Sequence, residues 1–178
     1  MTITKTHPLV RMEGIKKQFP GVQALSEGRT GIDRHDGFVN EMKAKDPNVK
    51  IVEIQYGGGD QLKSTDLTKA IIQAHPDIKG IFGSNEGSAI GVVNAVTELN
   101  MQGKIVIIGY DSGKQQIDDI NSGVEAGAIT QDPISIGYLA VKAAVDAGKT
   151  VDKSIDTGFK YYDKTNVDTA DIQALLYQ

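Results

Sequence analysis

Short carboxylate and amide side chains recur in four segments of the sequence, each of which directly follows a run of apolar residues. The segments are 57–60 (Gly-Gly-Gly-Asp), 83–86 (Gly-Ser-Asn-Glu), 109–112 (Gly-Tyr-Asp-Ser) and 130–133 (Thr-Gln-Asp-Pro). A carboxylate accepts hydrogen bonds from two neighbouring hydroxyls, and a planar amide both donates and accepts, as a hydroxyl does. A guanidinium such as that of Arg34 donates two parallel bonds to adjacent oxygens. These side chains suit the binding of an uncharged, polyhydroxylated ligand.

A structural role competes with this interpretation at each single position. Asp60, Ser84 and Asp111 each precede a predicted helix, and Asp, Asn and Ser are common turn formers and helix N-caps. In an open parallel sheet, however, the loops that follow the strands gather at one edge, where ligands bind. Four polar loops at one edge therefore favour a ligand site over four independent caps.

The elements that must position these loops alternate between strand and helix. Apolar residues recur at helical spacing in some segments and at strand spacing, or in continuous runs, in others. The predicted helices are 34–45, 62–74, 87–99, 115–121, 134–147 and 169–176, and the predicted strands are 49–56, 78–82, 104–108, 126–129 and 155–159. This alternation predicts an α/β fold with an open, mainly parallel sheet and helices on both faces, similar to flavodoxin or Rossmann-like sheets. The apolar run at 104–108 predicts a strand that is buried on both faces.

The composition agrees with a folded domain and excludes several chemistries. The chain has 178 residues, a formal net charge of −4, 20 glycines and no cysteine. This length suits one domain, or one domain with a short extension. The lack of cysteine excludes disulfides, thiolate zinc sites, iron–sulfur clusters and a cysteine nucleophile. The sequence contains no apolar run long enough to span a membrane, and its mild acidity argues against a nucleic-acid partner.

Motifs for catalysis, metal binding or nucleotide binding are absent from the sequence or incomplete. The segment 148–150 (Gly-Lys-Thr) resembles the end of a phosphate-binding loop, but Ala143 stands at the leading glycine position. It also follows a predicted helix, so Gly148 is expected to end that helix. His7, His35 and His75 lack the spacing of metal ligands, and the sequence has no Gly-x-Ser-x-Gly motif. We therefore expect no metal, no cofactor and no catalytic residue.

Five motifs follow one another between residues 33 and 168. They are 33–38 (DRHDGF), 77–86 (DIKGIFGSNE), 106–111 (VIIGYD), 128–133 (AITQDP) and the ending 156–168. From about Gly28 to Tyr177 the sequence thus resembles the C-terminal part of sugar-binding proteins of bacterial ABC importers, of the ribose/galactose type with the type I periplasmic-binding-protein fold. The resemblance implies one lobe of a two-lobed protein, a pentose or hexose as ligand, and a membrane permease as partner.

The same resemblance implies roles for individual residues. Arg34 and Asp111 align with residues that bind sugar hydroxyls, and Gln131 aligns with a glutamine at a crossover between the lobes. Asp60 lies beside a position where some members place a ring-stacking aromatic residue, which is Gly59 here. The ligand-binding set implied by the family is Arg34, Asp60, Asn85, Asp111 and Gln131.

Residues 1–26 differ in character from the rest. The segments 8–15 and 19–25 resemble the opening strand of a sugar-importer ATPase, whose phosphate loop, signature motif and catalytic carboxylate do not follow. We predict an N-terminal extension over 1–26 and a binding-protein lobe over 27–178; in the alternative, the extension is an unrelated strand and turn. No apolar signal-peptide core is found, so this sequence is expected to be cytoplasmic, whereas the family is periplasmic.

The predicted function is that of a non-catalytic carbohydrate-binding lobe, which binds weakly or not at all when alone. The alternative is the effector-binding core of a LacI-type transcription regulator, which needs an N-terminal helix-turn-helix. Pro8, Gly14 and Pro20 disfavour such helices. An ATPase or another enzyme ranks below both, because its motifs are missing.

The predicted helix 134–147 bears on the oligomeric state. In the family this helix packs on the lobe that is missing here. Its predicted inward face needs another partner, which favours a homodimer. The residues of that face are Ile136, Leu139, Ala140, Ala143 and Ala147.

Overall fold

Strands and helices alternate along the part of the chain that the computed structural model describes, residues 29–45, 48–146 and 154–177. The helices are α1 (Arg29–Lys45), α2 (Gln61–Ala74), α3 (Glu86–Glu98), α4 (Lys114–Ser122), α5 (Pro133–Val145) and α6 (Ala170–Gln173). The strands are β1 (Gly80–Phe82), β2 (Val106–Tyr110), β3 (Gly127–Gln131) and β4 (Phe159–Tyr162). The predicted α/β class is confirmed.

The strands form one open sheet in the order β1-β2-β3-β4. β1 pairs in parallel with β2, and β2 in parallel with β3. β4 runs antiparallel to β3. The sheet is thus mainly parallel, as predicted, and the carboxyl ends of β1, β2 and β3 lie at one edge. Three of the four polar segments of the sequence analysis, 83–86, 109–112 and 130–133, lie at that edge, whereas 57–60 follows no described strand.

One face of the sheet carries the apolar core. Alternate residues of a strand point to the same side, and Gly109 pairs with Ala128, so the fully buried Ile107 and Ala128 lie on the same face of the sheet. One core cluster joins α2 and α3 to β2 through Ile72, Val92, Val93, Val96, Ile105 and Ile107. A second joins α4 and α6 to β3 and β4 through Ile117, Ile120, Ala128, Tyr162, Val167 and Ile172. Each buried valine or isoleucine of these clusters stabilises the fold by roughly 1.5–3 kcal/mol.

The opposite face is more open. Phe38 of α1 stacks on Phe82 of β1, with ring centroids 4.8 Å apart, but Val106 of β2 stays 56% exposed. The prediction that the strand at 104–108 is buried on both faces is therefore wrong, and the strand itself lies at Val106–Tyr110. The reason is that α2 and α3 cover one face of β2 while α1 reaches only β1 and the end of β2.

Two predicted strands do not occur where the sequence placed them. Residues 49–56 form no ladder with any described strand, and Val52 and Ile54 are exposed. A period-two pattern favours extended backbone, but a strand also needs a hydrogen-bonded neighbour. The strand predicted at 155–159 lies later in the chain, as β4 at Phe159–Tyr162. Its register with β3 places the fully buried Tyr162 opposite Ala128.

The helix at 134–147 is observed as α5, Pro133–Val145, and none of its thirteen described residues is buried. Of the residues predicted to face inward, Leu139 and Ala143 are half-buried, whereas Ile136 and Ala140 are exposed.

Some predictions lie outside the residues that the structure describes. They concern Ala147, the predicted helix end at Gly148, the segment 148–150 and the extension 1–26. None of the helices that the structure describes is long and apolar enough to cross a bilayer.

A buried polar cluster lies beneath the end of β2. The amide of Gln116 donates to the carbonyl of Tyr110 at 3.2 Å and to the carboxyl of Glu125 at 3.4 Å. Both side chains are buried, and a Cβ on Gly109 would collide with them, so β2 needs glycine there. Burial raises the pKa of Glu125 to about 8; the nearby Asp119 carboxylate adds to this shift, and the bond from Gln116 opposes it.

This raised pKa predicts a pH-dependent effect of Glu125→Gln on stability. The native state keeps the Glu125 proton up to about pH 8, whereas the unfolded chain releases it near the ordinary pKa of 4.5. The stabilisation linked to the proton of Glu125 is therefore fully present below pH 4.5, and the free energy of unfolding falls as the pH rises from 4.5 to 8. Glutamine stays neutral at every pH. At pH 9 the free energy of unfolding of Glu125→Gln should therefore exceed that of the wild type by on the order of 3 kcal/mol.

Urea unfolding at pH 4.5 and pH 9 measures this difference. At pH 4.5 the two proteins should have nearly the same free energy of unfolding. Asp118→Asn, on the exposed surface of α4, is the matched control; it keeps Glu125, so its free energy of unfolding should differ from that of the wild type by the same amount at both pH values. An equal gap between wild type and Glu125→Gln at both pH values would contradict the prediction.

Candidate functional site

The carboxylate of Asp111 is the point where the loops after β1, β2 and β3 meet. Its Oδ1 accepts a hydrogen bond from the amide of Gln131 at 3.0 Å, and Gln131 ends β3. Its Oδ2 accepts from the backbone N–H of Glu86 at 3.3 Å, and Glu86 begins α3. A carboxylate has about four acceptor positions, so roughly two remain for a ligand.

The backbone of Asp111 is held in an uncommon conformation. Its φ is +78°, in the left-handed region, which costs an L-residue on the order of 1 kcal/mol. Its N–H donates to the carbonyl of Ile129 at 2.7 Å, and its carbonyl accepts from the hydroxyl of Tyr162 at 2.9 Å. Asp111 does not cap α4, whose N-cap is Gly113. The neighbouring strands thus fix the backbone of Asp111, and its carboxylate is not used to cap α4.

Arg34 of α1 lies against the same two loops. Its guanidinium carbon is 3.6 Å from the centroid of the Tyr110 ring, and its Nη1 donates to the carbonyl of Ser84 at 3.0 Å. Cation–π contacts of this kind contribute about 0.5–2 kcal/mol. Tyr110 precedes Asp111 and Ser84 precedes Asn85, so Arg34 is fixed next to both predicted site residues.

Asn85 and Asp60 are both helix N-caps. Oδ1 of Asn85 accepts from the N–H of Ser88 at 2.9 Å, and Oδ1 of Asp60 accepts from the N–H of Lys63 at 2.7 Å. The cap uses only the oxygen of Asn85, so its NH₂ group keeps both donors for a ligand. Asp60 is exposed, and its carboxylate is turned towards its own helix.

The loop that contains Asp60 nevertheless approaches Asn85. A Cβ on Gly87 would collide with the carbonyl of Gly59, and a Cβ on Gly59 would stand 3.8 Å from Oδ1 of Asn85. The loop 57–60 therefore packs on the first turn of α3. Gly59 also has a φ of +76°, a conformation that glycine adopts without strain.

The structure thus gives the five predicted residues unequal positions. Asp111 and Gln131 are in direct contact. Arg34 and Asn85 lie at the loops that follow β1 and β2. Asp60 caps the N-terminus of α2. Sequence reasoning missed Tyr110, whose ring packs against the guanidinium of Arg34. The available signal was its place as the last strand residue before Asp111.

The chemistry of the set suits a neutral ligand with several hydroxyls, because one guanidinium, one carboxylate and two amides together carry no net charge. No group of three or more His, Asp or Glu within the described ranges could hold a metal ion.

Comparisons with known proteins agree with this architecture. A family model described as "Periplasmic binding protein domain" matches residues 18–150. The ribose import binding protein RbsB of Bacillus subtilis (strain 168) is 32% identical over 155 residues, which are 85% of this chain and 46% of the relative. The D-allose-binding periplasmic protein of Escherichia coli (strain K12) is 30% identical over 134 residues, which are 73% of this chain and 43% of the relative.

A solved structure is similar over most of the chain. It is an ABC transporter solute binding protein from Agrobacterium vitis bound with alpha-D-tagatopyranose, with a TM-score of 0.79 and 31% identity over 83% of this chain and 50% of that one. This chain therefore spans about half the length of the relatives it matches. The family match starts within the predicted extension 1–26, whose likeness to an ATPase stays a prediction, as do the predicted domain bounds. By the family match and the fold, the chain belongs to the periplasmic binding protein domain family.

Proposed function

We propose that the chain is a carbohydrate-binding lobe of a solute-binding protein in an ABC-type sugar importer, with a pentose or hexose as ligand and a membrane permease as partner. The observation that carries the proposal is the Asp111 carboxylate, held between Gln131 and the N–H of Glu86 with acceptor positions to spare. The names of its relatives support it, since the proteins described above are named for ribose or D-allose or contain a bound tagatopyranose.

Each site residue has a role that its contacts support. Asp111 accepts from two adjacent sugar hydroxyls, and Gln131 holds this carboxylate in place. Arg34 donates to ring or hydroxyl oxygens, and Asn85 donates through its NH₂ group. Asp60 belongs to the proposed set through its loop, which packs beside Asn85. One lobe supplies only one side of a cleft, so we expect weak binding by the lobe alone, because affinity in a closing cleft comes from both walls.

The proposed role is binding without catalysis. The buried hydroxyls of Ser112 and Thr130 lie 2.9 Å apart beneath the site, but they bond to each other and not to a general base. The relatives described above are named as binding proteins, which also favours the importer over the LacI-type regulator. The family is periplasmic, and a cytoplasmic location for this sequence stays a prediction.

The first test is a titration of D-ribose, D-allose and D-tagatose against the ¹⁵N-labelled protein by NMR. We expect at least one sugar to shift the amides of the loops at 83–86 and 109–113. Asp111→Asn should weaken that binding by about tenfold or more, because a charged hydrogen-bond acceptor is lost. Asp118→Asn, an exposed change on α4, serves as the control and should bind like the wild type. Unchanged affinity in Asp111→Asn, or turnover of ATP by the wild type, would contradict the proposed function.

We also propose that two copies of the lobe associate through α5. Its most exposed apolar side chains are Ile134 (72%), Tyr138 (65%), Val141 (66%) and Val145 (80%). Their spacing of four, three and four residues is that of a coiled-coil seam. This stripe lies beside the predicted face of Ile136, Leu139, Ala140 and Ala143, and two such stripes bury each other when they pair.

The dimer proposal is tested by multi-angle light scattering. At tens of micromolar the wild type should have the mass of a dimer, and Val141→Glu should have the mass of a monomer, because it places a charge in the seam. Leu62→Glu, at an exposed apolar position of α2 outside the seam, is the matched control and should stay dimeric. A monodisperse wild-type monomer would rule out the association.

A further inference from the structure

Tyr177 connects the C-terminal segment to the two loops that carry Asn85 and Asp111. Its hydroxyl donates to Oε2 of Glu86 at 2.9 Å and accepts from the backbone N–H of Ser112 at 3.4 Å. Glu86 directly follows Asn85, and Ser112 directly follows Asp111. One hydroxyl group, 91 residues from Glu86 in the sequence, therefore joins the loop after β1 to the loop after β2.

Glu86 reinforces this connection through both its backbone and its side chain. Its N–H donates to Oδ2 of Asp111 at 3.3 Å, while its carboxylate receives the Tyr177 hydroxyl. The same carboxylate lies against Gly113, where a Cβ would collide with it. Glu86 thus fills the space between the two loops, and Tyr177 holds its carboxylate there.

The hydroxyl of Tyr177 suits this role because it stays protonated. Partial burial is the main cause that raises its pKa to about 12, and its bond to Glu86 acts in the same direction. The hydroxyl therefore remains a donor to Glu86 across the physiological pH range. A bond from a neutral donor to a carboxylate is among the stronger protein hydrogen bonds.

We propose that Tyr177 is a positioning residue for the sugar site, which acts by fixing the loops after β1 and β2 relative to each other. This inference rests on the proposed function and assigns to it a residue outside the predicted set. Without the hydroxyl, the Glu86 carboxylate loses its anchor and Ser112 loses an acceptor. The left-handed backbone of Asp111 is then held by fewer contacts, and its carboxylate meets a sugar less often in the binding geometry.

The test compares Tyr177→Phe with Tyr161→Phe in the NMR titration described above. Tyr177→Phe removes only the hydroxyl and should raise the Kd for the sugar by about tenfold. Tyr161→Phe removes a hydroxyl from a partly exposed residue of β4 that lies against Gly127, at the start of β3, and should leave the Kd unchanged. Equal Kd values for wild type and Tyr177→Phe would overturn the proposal.

Variants of Glu86 distinguish positioning from a general loss of stability. Glu86→Gln keeps an oxygen that accepts from Tyr177 and should retain most of the affinity, whereas Glu86→Ala should match Tyr177→Phe. The double variant Tyr177→Phe/Glu86→Ala should bind no more weakly than either single variant, because both remove one shared contact. Additive losses in the double variant would overturn the proposal.

Amide hydrogen exchange separates this proposal from the proposed function. Tyr177→Phe should speed exchange at the Ser112 N–H about fivefold or more relative to the wild type, while amides in α2 remain unchanged. If no sugar binds to the wild type, the proposed function fails, and faster exchange at Ser112 still supports the role of Tyr177 in fixing the loops. Unchanged exchange at Ser112 would overturn that role whether or not a sugar binds.

Discussion

The hydrogen bonds that hold the backbone of Asp111 are the constraint on which the site depends. The N–H of Asp111 donates to Ile129 of β3, and its carbonyl accepts from Tyr162 of β4. Both bonds cross the sheet, so the left-handed turn after β2 exists only when β3 and β4 are in register. The carboxylate can then reach Gln131 and the N–H of Glu86 at once. The antiparallel strand β4, which contributes no predicted site residue, thus helps to place the central one.

The two faces of the sheet support this turn in different ways. On the core face, Gln116 and Glu125 fill the space over Gly109, and the Gln116 amide donates both to the carbonyl of Tyr110 and to the carboxyl of Glu125. On the other face, Arg34 covers the ring of Tyr110. The residue before Asp111 is therefore held through its backbone from one side and through its ring from the other. Because burial raises the pKa of Glu125, this acid lowers the stability of the fold once it ionises.

The sequence predicted the order of elements better than their edges. Helical periodicity located α2 and α3 to within a residue at each end, because long amphipathic segments carry a strong signal. The period-two pattern of residues 49–56 predicted a strand wrongly, because no described strand pairs with this segment. The site residues Arg34 and Asp111 came from a family resemblance and from loop position. The roles of Tyr110, Glu86 and Tyr177 depend on contacts between distant segments, such as the 91 residues between Glu86 and Tyr177, and local patterns do not contain that information.

The packed core face and the exposed opposite face of the sheet have different consequences for the proposed binding of a ligand. The core face is packed by α2, α3, α4 and α6, which gives the site a rigid base. The other face and α5 leave Val106, Tyr138 and Val141 exposed, and the chain spans about half the length of its relatives. A rigid wall with few ligand contacts gives directional recognition, because its donors and acceptors are already oriented. Tight binding needs a second wall that excludes water from those hydrogen bonds, so specificity can reside in this lobe while most of the affinity arises only when a partner surface closes over it.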